Sequence, residues 1–157
     1  MVNVSHTVSY PPTVVVRHPR ENVRKCSIWP LRDRTDFVFL THPVKDPPSL
    51  EGYIRLAAEG PELSAADASC GLLLLDSSWR WLSPMSRTFL HVPPRSLNQY
   101  KTAFPRRSKR YDDPENGLAT VEALYLAHYI LGRPTDGLLE HYRWAELFLR
   151  LNGLDLT

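Results

Sequence analysis

The sequence has little cysteine: Cys26 and Cys70 are the only two in 157 residues. Two thiols in a chain with no recognisable export signal are more often reduced than paired, so a disulfide-stapled scaffold is not expected. No group of Cys and His has the spacing of zinc ligands, and no metal is expected. Long apolar runs are also missing, and the opening Met1-Val2-Asn3-Val4-Ser5-His6 lacks the charged and apolar regions of a signal peptide. The expectation is a soluble, cytoplasmic protein without a membrane partner. Excess charge of one sign is absent too. A formal net charge of +2 does not by itself mark a nucleic-acid binder, so the distribution of charge has to carry that question. There is no internal repeat and no low-complexity tract. His18, His42, His91, His128 and His141 are scattered, which gives Ser-His-Asp hydrolysis little support.

What is present suits one compact domain over 1–157, since 43% apolar residues in a chain of this length supply one core. Thr13-Val14-Val15-Val16 is a β-branched run after Pro11-Pro12 and reads as a short buried strand; Phe37-Val38-Phe39-Leu40 is a second. Residues 49–59 are compatible with a helix. Ser64 and Asp67 form a weak capping-box pair opening a short turn. Leu72 to Leu75, bounded by Gly71 and Asp76, reads as a central strand. Residues 83–117 read as irregular, with a short strand at Phe89-Leu90-His91-Val92. Val121, Leu124, Tyr125, His128 and Leu131 repeat at helical spacing between Thr120 and the stop Gly132-Arg133-Pro134, and 138–149 makes a second amphipathic stretch. Strands alternating with helices imply an α/β fold whose mostly parallel sheet is covered on both faces.

Two stretches concentrate positive charge. One runs from Arg17 through Arg20, Arg24 and Lys25 to Arg34; the other is Arg106, Arg107, Lys109 and Arg110, set between Phe104 and Tyr111. Cations interleaved with aromatic rings suit phosphates and unpaired bases, and they equally suit a solvated loop. Asp76 ends a buried strand and is followed by Ser77-Ser78-Trp79, at the place where open α/β sheets put ligand-binding groups. The plainer alternative is that Asp76 caps the next turn while Trp79 packs in the core.

Asp76-Ser77-Ser78-Trp79 resembles the Asp-x-Thr/Ser-Trp signature of the DTW-domain tRNA-uridine aminocarboxypropyltransferases and of the related enzymes of small-subunit rRNA. Other segments resemble these families in the same order. His18-Pro19-Arg20-Glu21 is similar to the DTW His-Pro-x-Glu, and Lys25-Cys26-Ser27-Ile28-Trp29-Pro30-Leu31 to the Lys-Cys-Ser/Thr-Gly-x-Lys-Leu of the rRNA enzymes, departing at Ile28 and Pro30. Leu63 to Asp67 resembles their Leu-Ser-Pro-Ala-Asp, Gly117 to Ala123 their Leu-Ser-Thr/Cys-x-Glu-Ala, and Tyr142 to Asn152 their closing Phe-x-Trp-Gly-x-x-Phe-Leu-x-x-Asn.

The resemblance implies a SPOUT-like fold with a C-terminal trefoil knot, in which 1–70 carries the basic segment and 71–157 the cofactor site and the C-terminal helices. It implies S-adenosylmethionine as cofactor and transfer of its 3-amino-3-carboxypropyl group to a uridine-type base in rRNA or tRNA, in ribosome biogenesis or tRNA processing, by a monomer. The cofactor pocket would be lined by Ser27, Leu75, Asp76, Val92, Asn116, Gly117, Leu118 and Thr120, with Trp79 against the methionine portion. The helix opening at Thr120 would present backbone amides to a carboxylate. Asp76 would be the catalytic residue, orienting the cofactor's ammonium or accepting the base's proton. Arg17, Arg20, Arg24, Lys25, Arg106, Arg107, Lys109 and Arg110 would contact RNA. The alternatives are a SPOUT-like RNA methyltransferase and an inactive RNA-binding assembly protein, the latter kept open by the missing Gly after Ser27.

Overall fold

The computed structural model of the protein describes residues 10–23, 26–77, 79–105 and 117–154. Five parallel strands form one sheet: β1 (Thr13–Arg17), β2 (Phe37–Thr41), β3 (Tyr53–Leu56), β4 (Gly71–Asp76) and β5 (Pro94–Arg95), in the order β2-β1-β4-β3-β5. Helices α1 (Trp79–Thr88), α2 (Thr120–Leu131) and α3 (Ala145–Leu151) complete the frame, with 3-10 turns at Trp29–Leu31 and Ala65–Asp67.

Strands buried on both faces have no polar side to alternate with, which is why β1 and β4 are near-continuous Val and Leu runs. Successive side chains leave opposite faces. Val15, Leu72 and Leu74 pack with Ile54, Leu124, Ala127 and Phe148 on the face covered by α2 and α3, while Val14, Val16 and Leu73 pack with Met85, Phe89 and Val92 on the α1 face. Among the described residues no helix is long and apolar enough to cross a membrane.

Several expected elements differ. The helix expected over 49–59 is instead turn and strand. Gly52 takes φ 81° and breaks any helical run, and Tyr53 and Ile54 then bury on opposite faces between β4 and β5. Gly71 makes room for this: a Cβ there would sit 2.5 Å from the Tyr53 ring. The segment expected to be irregular from residue 83 lies partly in α1, which carries Pro84 within it, and that residue reads as a breaker in sequence. The strand expected at Phe89–Val92 is a turn whose Phe89 and Val92 both enter the core and whose Leu90 is exposed; β5 follows at Pro94. In the second amphipathic stretch only Ala145–Leu151 is helical, Leu138 and Tyr142 being buried from the turns before it. The turn at Ser64 has the expected capping box, Asp67 also receiving Arg95.

Candidate functional site

After β1 the chain moves outward to β2, and after β4 it moves the other way through α1 to β5. The carboxyl ends of β1 and β4 therefore flank the point where connections diverge, which opens a crevice in parallel sheets. Arg17 and Asp76 are the paired residues there. Asp76 is 5% exposed and its carboxylate gathers three side-chain donors. Arg17 Nε donates to Oδ2 at 3.0 Å, the Cys26 thiol to the same oxygen at 2.8 Å, and Thr120 Oγ1 to Oδ1 at 2.8 Å. The Arg17 guanidinium also lies 4.6 Å from the Trp29 ring, and its Nη2 is buried with no hydrogen-bond partner. Burial, the Asp76 charge and the hydrogen bond to it push the Cys26 thiol up to about 11.

The start of α2 is held by side chains from elsewhere. Ser27 Oγ accepts from the Val121 amide at 3.1 Å, and Glu122 Oε1 accepts from the Ala119 amide at 2.8 Å. Ala119 is the N-cap and Thr120 the first helical residue, so the Thr120 hydroxyl is directed to Asp76 and does not cap the helix. Glu122 is fully buried and takes three further donors: Thr102 Oγ1 at 2.6 Å, the Ala103 amide at 2.8 Å and the Tyr142 hydroxyl at 2.8 Å.

No family model matches the chain, and no curated protein does. Among solved structures it is similar to the SAM-dependent rRNA:acp-transferase Tsr3 from Vulcanisaeta distributa, with 25% identity, a TM-score of 0.67, and coverage of 90% of this chain and 79% of that one. The two chains share a fold.

Of the residues expected at the site, the structure brings together Ser27, Asp76 and Thr120, with Leu75 half-buried beside Asp76 and Gly117 and Leu118 leading into α2. Val92 is not among them. It lies in the turn before β5, whose Pro94 is level through Arg55 with Leu73 of β4, so it sits toward the amino end of the strands while Asp76 ends β4, and its side chain is in the core. The strand expected at 89–92 is found two residues further on as β5, whose carboxyl end is near Ser96. Arg17 is likewise corrected: at 8% exposure and paired with Asp76 it belongs to the buried site, not to an exposed phosphate-contacting surface. Arg20 is exposed. The amides offered by α2 to a carboxylate are partly used, since those of Ala119 and Val121 are already bonded. Trp79 opens α1, but its side chain lies outside the described residues, as do Arg24, Lys25, Arg106, Arg107, Lys109, Arg110 and Asn116.

A separate cleft lined by Leu50, Gly52, Tyr53, Cys70 and His91 opens at the amino ends of β3 and β4, the opposite edge from Asp76. Among the described residues no three His, Cys, Asp or Glu gather as a metal would require. Sequence reasoning missed Cys26 and Arg17 as partners of Asp76, and Glu122 as a hub. Glu122 had a visible signal, a Glu placed three residues after the helix entry. The Arg17–Asp76 pair had none, being 59 residues apart in sequence.

Proposed function

We propose that this chain is an S-adenosylmethionine-dependent transferase that moves the 3-amino-3-carboxypropyl group onto RNA, with rRNA as substrate class and a uridine-type base as acceptor. One coincidence carries the reading: the Asp76-Ser77-Ser78-Trp79 signature begins at the divergence point of a sheet whose fold matches that of a SAM-dependent rRNA:acp-transferase over 90% of this chain. The SPOUT-like assignment and the C-terminal knot belong to the same proposal, supported by the fold likeness and by the motif order.

The residues present fit such a cofactor. Asp76 offers a desolvated carboxylate to an ammonium, and the unpartnered Nη2 of Arg17 offers a donor to a carboxylate. When bound, the cofactor would supply an electrophilic chain carbon beside its sulfonium, to which a ring nitrogen of the base would bond as the C–S electrons left with a neutral thioether and the nitrogen's proton passed to water. The work of the protein is then positioning. Asp76 ties the ends of β1 and β4, the Cys26 loop and the α2 entry into one rigid wall. With three of its roughly four lone-pair sites taken by these donors, it serves to hold groups in place and not to collect a proton.

Calorimetry with S-adenosylmethionine tests the binding half. The wild-type chain should bind, and Asp76→Ala should weaken binding by about tenfold or more, the cost of one lost charge-assisted hydrogen bond. Unchanged affinity in that variant ends the assignment of Asp76. Mass spectrometry of rRNA nucleosides from cells with and without the gene tests the reaction: loss of an aminocarboxypropyl nucleoside supports it, loss of a methyl instead identifies a methyltransferase, and absence of cofactor binding points to an inactive RNA-binding protein.

A further inference from the structure

The turn at Trp29–Leu31 carries no acid, base or nucleophile, yet its tryptophan lies against the Arg17–Asp76 pair. Ile28 and Leu31 are both buried and anchor the turn on either side of its Trp29-Pro30 tip. Phe39 of β2 meets the Trp29 ring edge-on, with centroids 6.0 Å apart. Two guanidiniums lie over that ring, Arg17 at 4.6 Å from its centroid and Arg32 at 4.9 Å. Arg32 also donates from Nη1 to the Trp29 carbonyl at 3.1 Å, and among the described residues it forms no ion pair. The group of Arg17, Arg32 and Asp76 thus holds two cations and one carboxylate, a balance that favours an anionic ligand group.

The Arg17 guanidinium has little freedom. Its Nε is engaged by Asp76 at 3.0 Å and the Trp29 ring lies against it, while Nη2 is buried with no hydrogen-bond partner. A buried donor without an acceptor is costly until one meets it. Asp76, with three donors on it, keeps one of its roughly four lone-pair sites. A donor and an acceptor are thereby set side by side on one ion pair. An α-amino acid carries the matching groups, a carboxylate and an ammonium on a single carbon. A phosphodiester matches less well, since it has no ammonium for Asp76 and its two ester arms keep it from a donor closed to solvent.

We propose that the Arg17–Asp76 pair clamps the α-amino-acid head of the cofactor, with Arg17 Nη2 taking the carboxylate and Trp29 as the positioning residue that holds the guanidinium for it. The proposal rests on the reading of the chain as an S-adenosylmethionine-dependent transferase, and deepens it by naming what selects the transferred group. A site that requires the carboxylate admits the 3-amino-3-carboxypropyl donor. It rejects decarboxylated S-adenosylmethionine, which has the same adenosine, sulfonium and ammonium but would deliver a 3-aminopropyl group. Rejection follows because the decarboxylated form leaves Nη2 buried and unpaired.

The test is calorimetry of the full chain with S-adenosylmethionine and with its decarboxylated form, read as the ratio of the two affinities. The wild type should prefer the carboxylated form by about tenfold or more, the effect of one charge-assisted hydrogen bond. Arg17→Lys keeps a cation for Asp76 but loses the fork, and should bring the ratio down to about twofold or less. Trp29→Leu should lower the ratio by about threefold or more, whereas Trp29→Phe, which keeps an aromatic face for the guanidinium, should stay within about twofold of the wild type. Misfolding weakens both cofactors alike and cannot move the ratio. A wild-type ratio near unity, or one that Arg17→Lys leaves intact, overturns the clamp while the transferase reading stands. If Arg17→Lys spares the ratio and instead weakens binding of a labelled oligouridine, Arg17 is a phosphate contact and the clamp is likewise overturned. A ratio unmoved by Trp29→Leu overturns the positioning role of Trp29. A wild type that binds neither form overturns the transferase reading and the clamp with it.

Discussion

At the scale of single residues, the side chain that best reports on the site is Cys26. Its thiol is a donor to Asp76, and burial together with that carboxylate pushes it up to about 11. A thiol in that state is a poor nucleophile, because alkylation needs the thiolate. At pH 8 Cys26 should react with iodoacetamide about a hundredfold more slowly than an ordinary thiol, two units of thiolate fraction lower. Asp76→Asn removes the neighbouring charge, so alkylation of Cys26, followed by peptide mass spectrometry, should accelerate. Equal rates in the two proteins would mean that the thiol does not feel Asp76. The same shift sets a sign for stability. The folded state keeps a proton on Cys26 that the unfolded chain releases near pH 9, so this group's contribution falls as pH climbs from about 9 to about 11.

At the scale of elements, α2 is held at both ends by groups outside its own apolar stripe. Glu122 at its start satisfies four donors, including the hydroxyls of Thr102 and Tyr142. Glu122→Ala would strand those donors in the core and should cost about 3 kcal/mol or more in urea unfolding, the penalty of breaking a buried charge-assisted network. A loss under about 0.5 kcal/mol would show that water replaces the carboxylate at no net cost. At its end Gly132 takes φ 73°, and the buried His128 donates from Nδ1 to the Pro134 carbonyl at 2.8 Å. Burial is the chief cause that lowers His128, outweighing the bond to Pro134. The unfolded chain takes up a proton near pH 6.5 that the folded chain refuses, so stability should fall as pH drops below that value, and His128→Gln should flatten that limb of a pH-resolved denaturation series. These elements also show what sequence could convey. β1, β4 and α2 were legible because composition and spacing are local: a Val run, a Leu run, a helical repeat closed by Gly132. β3 and α1 were not, because Tyr53 becomes a strand residue only when Gly71 lies beneath its ring, and Pro84 sits in a helix that tertiary packing maintains through Met85. Asp76 was legible as a strand end; its partners, 44 to 59 residues away, depend on the sheet order.

At the scale of the whole molecule, an all-parallel sheet places every strand's neighbours far away in sequence, so the fold depends on a few side chains that pin distant segments together. Asn152, just past α3, is one. Its Oδ1 accepts the Lys101 amide at 2.7 Å, and its Nδ2 donates to the carbonyls of Lys101 at 2.8 Å and Phe148 at 2.9 Å. The side chain thus imitates a paired backbone, joining the C-terminal helix to the stretch whose Thr102 and Ala103 are held by Glu122. Lys101 is exposed, so water competes for its groups, and the net worth of the contact is that of ordinary hydrogen bonds. Asn152→Ala should therefore cost about 1–2 kcal/mol in global stability. Asn152→Asp keeps the acceptor for the Lys101 amide but removes both donations and sets a carboxylate against two carbonyls, so it should be no milder than alanine. The more telling measurement is hydrogen exchange. If Asn152 closes the molecule, amides of 145–151 and of 101–103 should lose protection together in Asn152→Ala. Loss confined to 145–151 would mean that α3 merely frays and that the two segments are anchored separately.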